Sequence, residues 1–142
     1  EQRGIKLNYS NLVSPDTVVI ADPEQMKKVI NNIISNSVKY MDKPNGHIDI
    51  RILDEVDSIQ VEIEDNGKGI AQKDLQKIFE RFYRTDASRN SAQGGSGIGL
   101  SIVKKIVEDH GGYVWATAKE GEGTCMHFVL RKYIELQPGG TK

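Results

Sequence analysis

Cysteine is almost missing from this chain. Cys125 stands alone, so no intrachain disulfide can form. That fits a reducing compartment and leaves the fold to packing and hydrogen bonds. No apolar run is long enough to span a bilayer, and no signal peptide opens the sequence. Excess charge is missing too: a net charge of -1 leaves no basic footprint for nucleic acid. There is no internal repeat. What is present is ordinary for a globular protein. The 142 residues are 37% hydrophobic and 27% charged, enough for one compact domain with a real core. That domain is expected over residues 1–134, with 135–142 as a disordered tail. Because Arg3 to Leu7 already reads as a strand, the chain is expected to be cut from something longer.

The pattern of elements points to an α+β fold. Gly4 to Ser10 and Thr17 to Ala21 read as short strands around a Ser14-Pro15-Asp16 turn. Asp22-Pro23-Glu24-Gln25 is a helix start: Asp22 caps, Pro23 suits the first helical position, and Gln25 completes a capping box. Met26, Val29, Ile30, Ile33, Ile34 and Met41 keep a helical apolar period. Ile48, Ile50 and Ile52, then Ile59, Val61 and Ile63, alternate with polar residues, as a hairpin with one buried face does. Ala71 to Phe82 reads as a second helix and Thr85 to Gly95 as a polar loop. Ile98, Ile102, Val103, Ile106 and Val107 mark a third helix, ended by His110-Gly111-Gly112. Tyr113 to Ala118 and Thr124 to Leu130 form a closing hairpin. The expected architecture is a two-layer α/β sandwich, one mixed and mostly antiparallel sheet covered on one face by helices.

Several segments carry chemistry. Asn32 and Asn36 are poor helix formers beside an apolar stripe. At ~100° per residue, Asn32, Asn36 and Lys39 fall within an arc of roughly 60° beside that stripe, where they can face a cavity. A neutral amide oxygen on a rigid helix can help hold Mg²⁺ if phosphates and waters supply the other ligands. Asp65 to Ile70 follows a strand end. A carboxylate there accepts from the exocyclic amine of adenine, a donor that guanine lacks at that position, although by itself Asp-Asn-Gly is common turn chemistry. Gly94 to Leu100 opens a helix with five glycine or serine residues in six positions, which favours phosphate binding over a plain linker. It has neither the lysine of a Walker loop nor the spacing of a dinucleotide fold. Arg84 ends the aromatic stretch Ile78 to Arg84. From there it could reach a terminal phosphate, but alone it reads as a surface arginine. No metal-ligand spacing links His47, His110 and His127. His110 suits a helix C-terminus, where partial positive charge is favourable. Cys125 reads as a structural strand residue, and Met26 and Met41 as core.

In this order, the segments resemble the catalytic and ATP-binding domain of bacterial sensor histidine kinases. That superfamily is shared with gyrase, the heat-shock chaperone ATPases and the mismatch-repair ATPases. Asn32 to Tyr40 looks like the family's N box, Asp65 to Ile70 its first glycine box, and Phe79 to Arg84 its F box. Gly95 to Leu100 resembles its second glycine box and Gly121 to Thr124 its last. The resemblance covers about Gly4 to Arg131 and implies a Bergerat-type fold that binds ATP and Mg²⁺. Asn36 would bind the metal, with Asn32 beside it. Lys39 would contact phosphate and Tyr40 would pack at the nucleotide. Asp65 would bind the adenine amine, with Gly67, Gly69, Ile70 and Thr124 around the base. Ile78, Phe82 and Tyr83 would wall or close the pocket, and Arg84 would meet the γ-phosphate. Gly95, Ser96, Gly97, Ile98, Gly99 and Leu100 would receive the phosphates. Asn32, Lys39 and Arg84 are the residues expected to act in transfer.

Hydrolytic members of the superfamily place a glutamate base where this chain has Asn32. An amide cannot take a proton at neutral pH, so transfer is favoured over hydrolysis. The phosphoacceptor histidine of such kinases sits on a separate dimerisation helix and is followed by an acidic residue. None of the three histidines here has that setting. The partners implied are therefore a dimerisation and phosphoacceptor domain of the same protein, and a response regulator. The isolated domain is expected to be a monomer without direct membrane contact. Its parent is expected to be a homodimer, with this domain in the cytoplasmic portion of a membrane-anchored sensor.

Overall fold

The structure, a computed structural model, describes residues 4–80 and 99–133. Five strands and two helices account for most of them: β1 (Lys6–Asn11), α1 (Pro23–Lys39), β2 (His47–Asp54), β3 (Ser58–Asp65), α2 (Gly99–Asp109), β4 (Tyr113–Lys119) and β5 (Gly123–Arg131). The strand order is β1-β2-β3-β5-β4. Only β1 and β2 run parallel; the other neighbours are antiparallel. A parallel pair needs a crossover, and α1 supplies it.

The two hairpins follow their alternation. Ile48, Val61, Ile63, Met126, Phe128 and Leu130 turn one face of the sheet toward the helices and are buried. Val29 and Ile33 of α1 and Val103 and Val107 of α2 meet them and are fully buried. Met41 is core as expected, and Met26 packs against it. The helices run antiparallel to one another. The C-terminal end of α2 lies at the start of α1, and Gly99 at the start of α2 lies against Asn32.

Asp22 caps α1 as expected, its Oδ1 accepting from Glu24 N–H at 2.9 Å and Gln25 N–H at 3.4 Å. The other half of the capping box is replaced. Asp22 N–H donates to His110 Nε2 at 3.1 Å, and His110 Nδ1 donates to the Ile106 carbonyl at 2.8 Å. Only the neutral Nδ1–H imidazole makes both bonds. His110 is therefore a clasp between two helix ends rather than a positive charge on one dipole. His110→Ala is expected to cost about 0.5–1.5 kcal/mol of stability, one such bond's net worth, by urea denaturation.

Two expected elements differ. Thr17 to Ala21 is not a strand; it makes one isolated bridge, Val19 to Lys132. The segment lies past the end of β1, and the Asp22 cap stops it before a ladder can grow. Over its described part, residues 71–80, the helix expected from Ala71 to Phe82 is instead a 3-10 turn, Gln72–Asp74, followed by further turns. Its hydrogen bonds join residues three apart: Leu75 to Gln72, Lys77 to Asp74 and Glu80 to Lys77. That tighter winding lets Ile78 and Phe79 both reach the core. Phe82 and the tail from 135 onward lie outside the described residues.

Candidate functional site

Three loops meet at one end of the sheet: the segment after α1, the turn after β3, and the β4–β5 turn. Asp65, the last residue of β3, is 9% exposed. Its Oδ1 accepts from Gly67 N–H at 2.9 Å and Thr124 N–H at 3.3 Å. The Ser37 hydroxyl of α1 also donates to it. Burial nevertheless holds the Asp65 carboxyl above its ordinary pKa; these three bonds pull it back only in part, and Glu64 nearby pushes the same way as burial.

The loops are knitted by backbone. Gly121 N–H donates to the Lys68 carbonyl at 2.6 Å, and Lys68 N–H to the Tyr40 carbonyl at 3.3 Å. Glycine is needed where these backbones approach closely. Gly69 has φ +76°, and a side chain there would strike the Lys119 carbonyl. Gly123 has φ +138° and lies against the Asp65 carbonyl in the same way. The Lys43 ammonium donates to the carbonyls of Asn66 (3.1 Å), Gly67 (2.9 Å) and Gly121 (3.0 Å), and to Asp42 (3.1 Å). One cation thus ties all three loops.

The helices supply the other side. Asn32 and Asn36 lie one turn apart on α1. A Cβ placed on Gly99 would sit 3.5 Å from Asn32 Oδ1, so this amide faces the positive end of α2. Lys39 Nζ and Lys68 Nζ lie 5.1 Å and 5.3 Å from the centre of the Tyr40 ring. Ile78 is buried in the core, and Ile70 and Leu100 pack against it. Phe82, Tyr83, Arg84, Gly95, Ser96, Gly97 and Ile98 lie outside the described residues.

Ser37, Lys43 and Lys68 are the additions that sequence reasoning missed. Ser37 falls on the buried face of α1 next to Asn36, so its helical position was the available signal. Nothing local marks Lys43, whose carbonyl partners are 23 to 78 residues away. Lys43→Met is expected to weaken adenine-nucleotide binding about tenfold by calorimetry, because three carbonyls lose their charged donor and the loops drift apart.

These residues fit a purine nucleotide with a hard cation. There is a buried acceptor for a base amine, ammonium groups beside an aromatic ring, and a helix start beside a neutral amide. The family described as histidine kinase-, DNA gyrase B-, and HSP90-like ATPase matches residues 21–134. The chain belongs to this family. As an ATPase domain of the histidine-kinase type, it is 41% identical over 122 residues to the sensor histidine kinase WalK of Bacillus subtilis, covering 84% of this chain and 20% of that protein. It is 39% identical over 111 residues to the sensor protein kinase WalK of Staphylococcus aureus, covering 77% of this chain and 26% of that protein. The chain thus spans about a fifth to a quarter of the length of these relatives.

Among solved structures, the domain superposes on the mycobacterial sensor histidine kinase MprB with TM-score 0.79 at 29% identity, covering 92% of this chain and 86% of that one. The catalytic domain of the histidine kinase ThkA, in a nucleotide-free form, gives 0.76 at 30% identity, covering 92% and 82%. Full-length ShkA in complex with AMPPNP gives 0.78 at 25% identity, covering 96% of this chain and 27% of that one. The α+β sandwich expected from the sequence is therefore that of histidine kinase catalytic domains. Among the described residues no helix is long and apolar enough to cross a membrane.

Proposed function

We propose that this domain binds Mg²⁺-ATP and moves the γ-phosphoryl group to a histidine on a helical domain outside this chain, for relay to an aspartate of a response regulator. The observation that carries the reading is Asp65. A carboxylate is buried at a strand end at a cost in ionisation, which makes sense where a ligand amine is to be read. When bound, Mg²⁺-ATP supplies the phosphoryl group and neutralises charge as it moves.

The chain's own residues bind and orient. Asp65 accepts the hydrogen bond of the adenine amine, and Gly67, Gly69, Ile70 and Thr124 frame the base. Asn36 offers its amide oxygen to the metal. Lys39, the segment Gly95 to Ile98, and Gly99 and Leu100 at the start of α2 take the phosphates. Arg84 meets the γ-phosphate, and Ile78, Phe82 and Tyr83 close the pocket. Asn32 takes no proton from water, so the attacking group comes from outside, as an imidazole. Transfer needs mostly positioning and charge stabilisation, which this set provides without a base of its own. The parent is read as a homodimeric, membrane-anchored sensor with this domain in the cytoplasm.

The test mixes the domain with labelled Mg²⁺-ATP and a separately made acceptor domain. Label on the acceptor histidine is expected. Tight nucleotide binding with no labelled histidine would refute the kinase reading, and rapid phosphate release by the domain alone would favour a hydrolase.

A further inference from the structure

The sheet face turned away from the helices carries a second cluster. Glu62 on β3 and His127 on β5 are partners in register, and Cys125 lies two residues along β5 on the same face. One donor atom from each of Glu62, Cys125 and His127 lies within 4.8 Å of the other two. His127 Nδ1 sits 3.2 Å from Glu62 Oε2, with both side chains largely buried.

Neighbours hold these groups in place. Trp115 stacks on the His127 ring, centroids 4.8 Å apart and 3° from parallel. Thr117 Oγ1 lies 3.0 Å from His127 Nε2, which leaves Nδ1 facing Glu62. Arg51 Nε donates to Glu62 Oε1 at 3.1 Å, turning Oε2 toward the imidazole. Gln60 Nε2 donates to that Oε2 at 2.9 Å and lies 3.4 Å from His127 Nδ1. Polar partners that fix ring and carboxylate orientation are the usual support of a metal centre. A cavity of about 310 Å³, bordered by Glu64, Thr117 and Cys125 and on its other side by Asp65 and Thr124, reaches the Cys125 end of the cluster from solvent.

We propose that Glu62, Cys125 and His127 form a binding site for a borderline-soft divalent transition metal, zinc(II) or cobalt(II), separate from the nucleotide's magnesium. Sulfur, imidazole nitrogen and one carboxylate oxygen suit such a metal and disfavour magnesium and calcium. Bonds of ~2.0–2.3 Å to a tetrahedral ion place ligand atoms ~3.3–3.8 Å apart, so these side chains need close by only about 1 Å, with water in the fourth position. No metal-ligand spacing along the chain marks these residues, because the cluster needs two strands paired in register.

Without metal the site is inert. Burial, then the Glu62 and Glu64 carboxylates, push the Cys125 thiol up to about 12, so it stays protonated and is a poor nucleophile. Binding breaks the S–H bond, forms a sulfur–metal bond and releases the proton to solvent. The same carboxylates attract the incoming dication.

The test titrates the domain with Co²⁺. One equivalent is expected to bind and to produce a thiolate-to-cobalt charge-transfer band in the near ultraviolet. Cys125→Ser removes the band, and Glu62→Gln and His127→Gln each weaken Co²⁺ binding at least about tenfold. Zn²⁺ raises the melting temperature of the wild type and not of Cys125→Ser, with circular dichroism reporting that each variant is folded. A folded wild type with no band at saturating Co²⁺, or a band that survives Cys125→Ser, would overturn the proposal.

Discussion

Asp65→Asn is expected to weaken adenine-nucleotide binding by about 10- to 100-fold and, at neutral pH, to leave the free domain more stable than the wild type. The binding loss follows from a hydrogen bond to a charged acceptor worth about 1.5–3 kcal/mol, at 1.4 kcal/mol per factor of ten. The asparagine oxygen can still accept from Gly67 N–H and Thr124 N–H. Its NH₂ then faces the adenine amine, donor against donor. Discrimination against GTP should shrink for the same reason.

The gain in stability follows from the raised pKa. Burial makes the Asp65 carboxyl harder to ionise in the folded state than in the unfolded one. The native state therefore binds that proton more tightly. Below the unfolded pKa both states are protonated and ionisation costs nothing. As pH rises through the window from the ordinary carboxylate value up to the raised one, stability is lost, and above that window the full cost remains. Asparagine never ionises, so this segment of the pH profile should vanish. Calorimetry with ATP and GTP, and urea denaturation at mildly acidic and neutral pH, check both halves. Lost binding in a destabilised variant would make Asp65 a structural residue. Undiminished binding would remove it from the base site.

Local order decided what could be read before the structure. The period-two apolar residues of β2 and β3 and the Asp22-Pro23 start of α1 depend on neighbours in sequence, and they appear where the pattern puts them. Parallel pairing of β1 with β2, and the place of β5 between β3 and β4, depend on pairing across the chain and leave no local mark. Residues 71–80 misled because Ile78 and Phe79 extend an apolar period that α and 3-10 winding share over one turn. The site divides in the same way. Asp65, Asn32 and the glycine boxes sit in contiguous motifs. Ser37, Lys43 and His110 act through partners 23 to 88 residues away, visible only once the loops and helix ends are brought together.

Asn36→Ala is expected to cut phosphoryl transfer to an acceptor domain by about 100-fold or more, since several kcal/mol of charge stabilisation depend on correct placement of the metal. The fold should not suffer. Asn36 is only partly buried on α1, and alanine is a better helix former than asparagine. Its position makes the effect specific. It lies one turn beyond Asn32, whose amide faces the start of α2. Nucleotide measured in EDTA should bind wild type and variant alike, because Asp65 and the loops around it are untouched. With Mg²⁺ added, only the wild type should tighten. Asn36→Asp separates charge from geometry: a carboxylate attracts the metal more strongly but repels the phosphates, so transfer should fall while Mg²⁺ dependence persists. Transfer at the wild-type rate in Asn36→Ala would show that the metal is held elsewhere. Equal losses with and without Mg²⁺ would instead place Asn36 among the residues that hold the nucleotide itself.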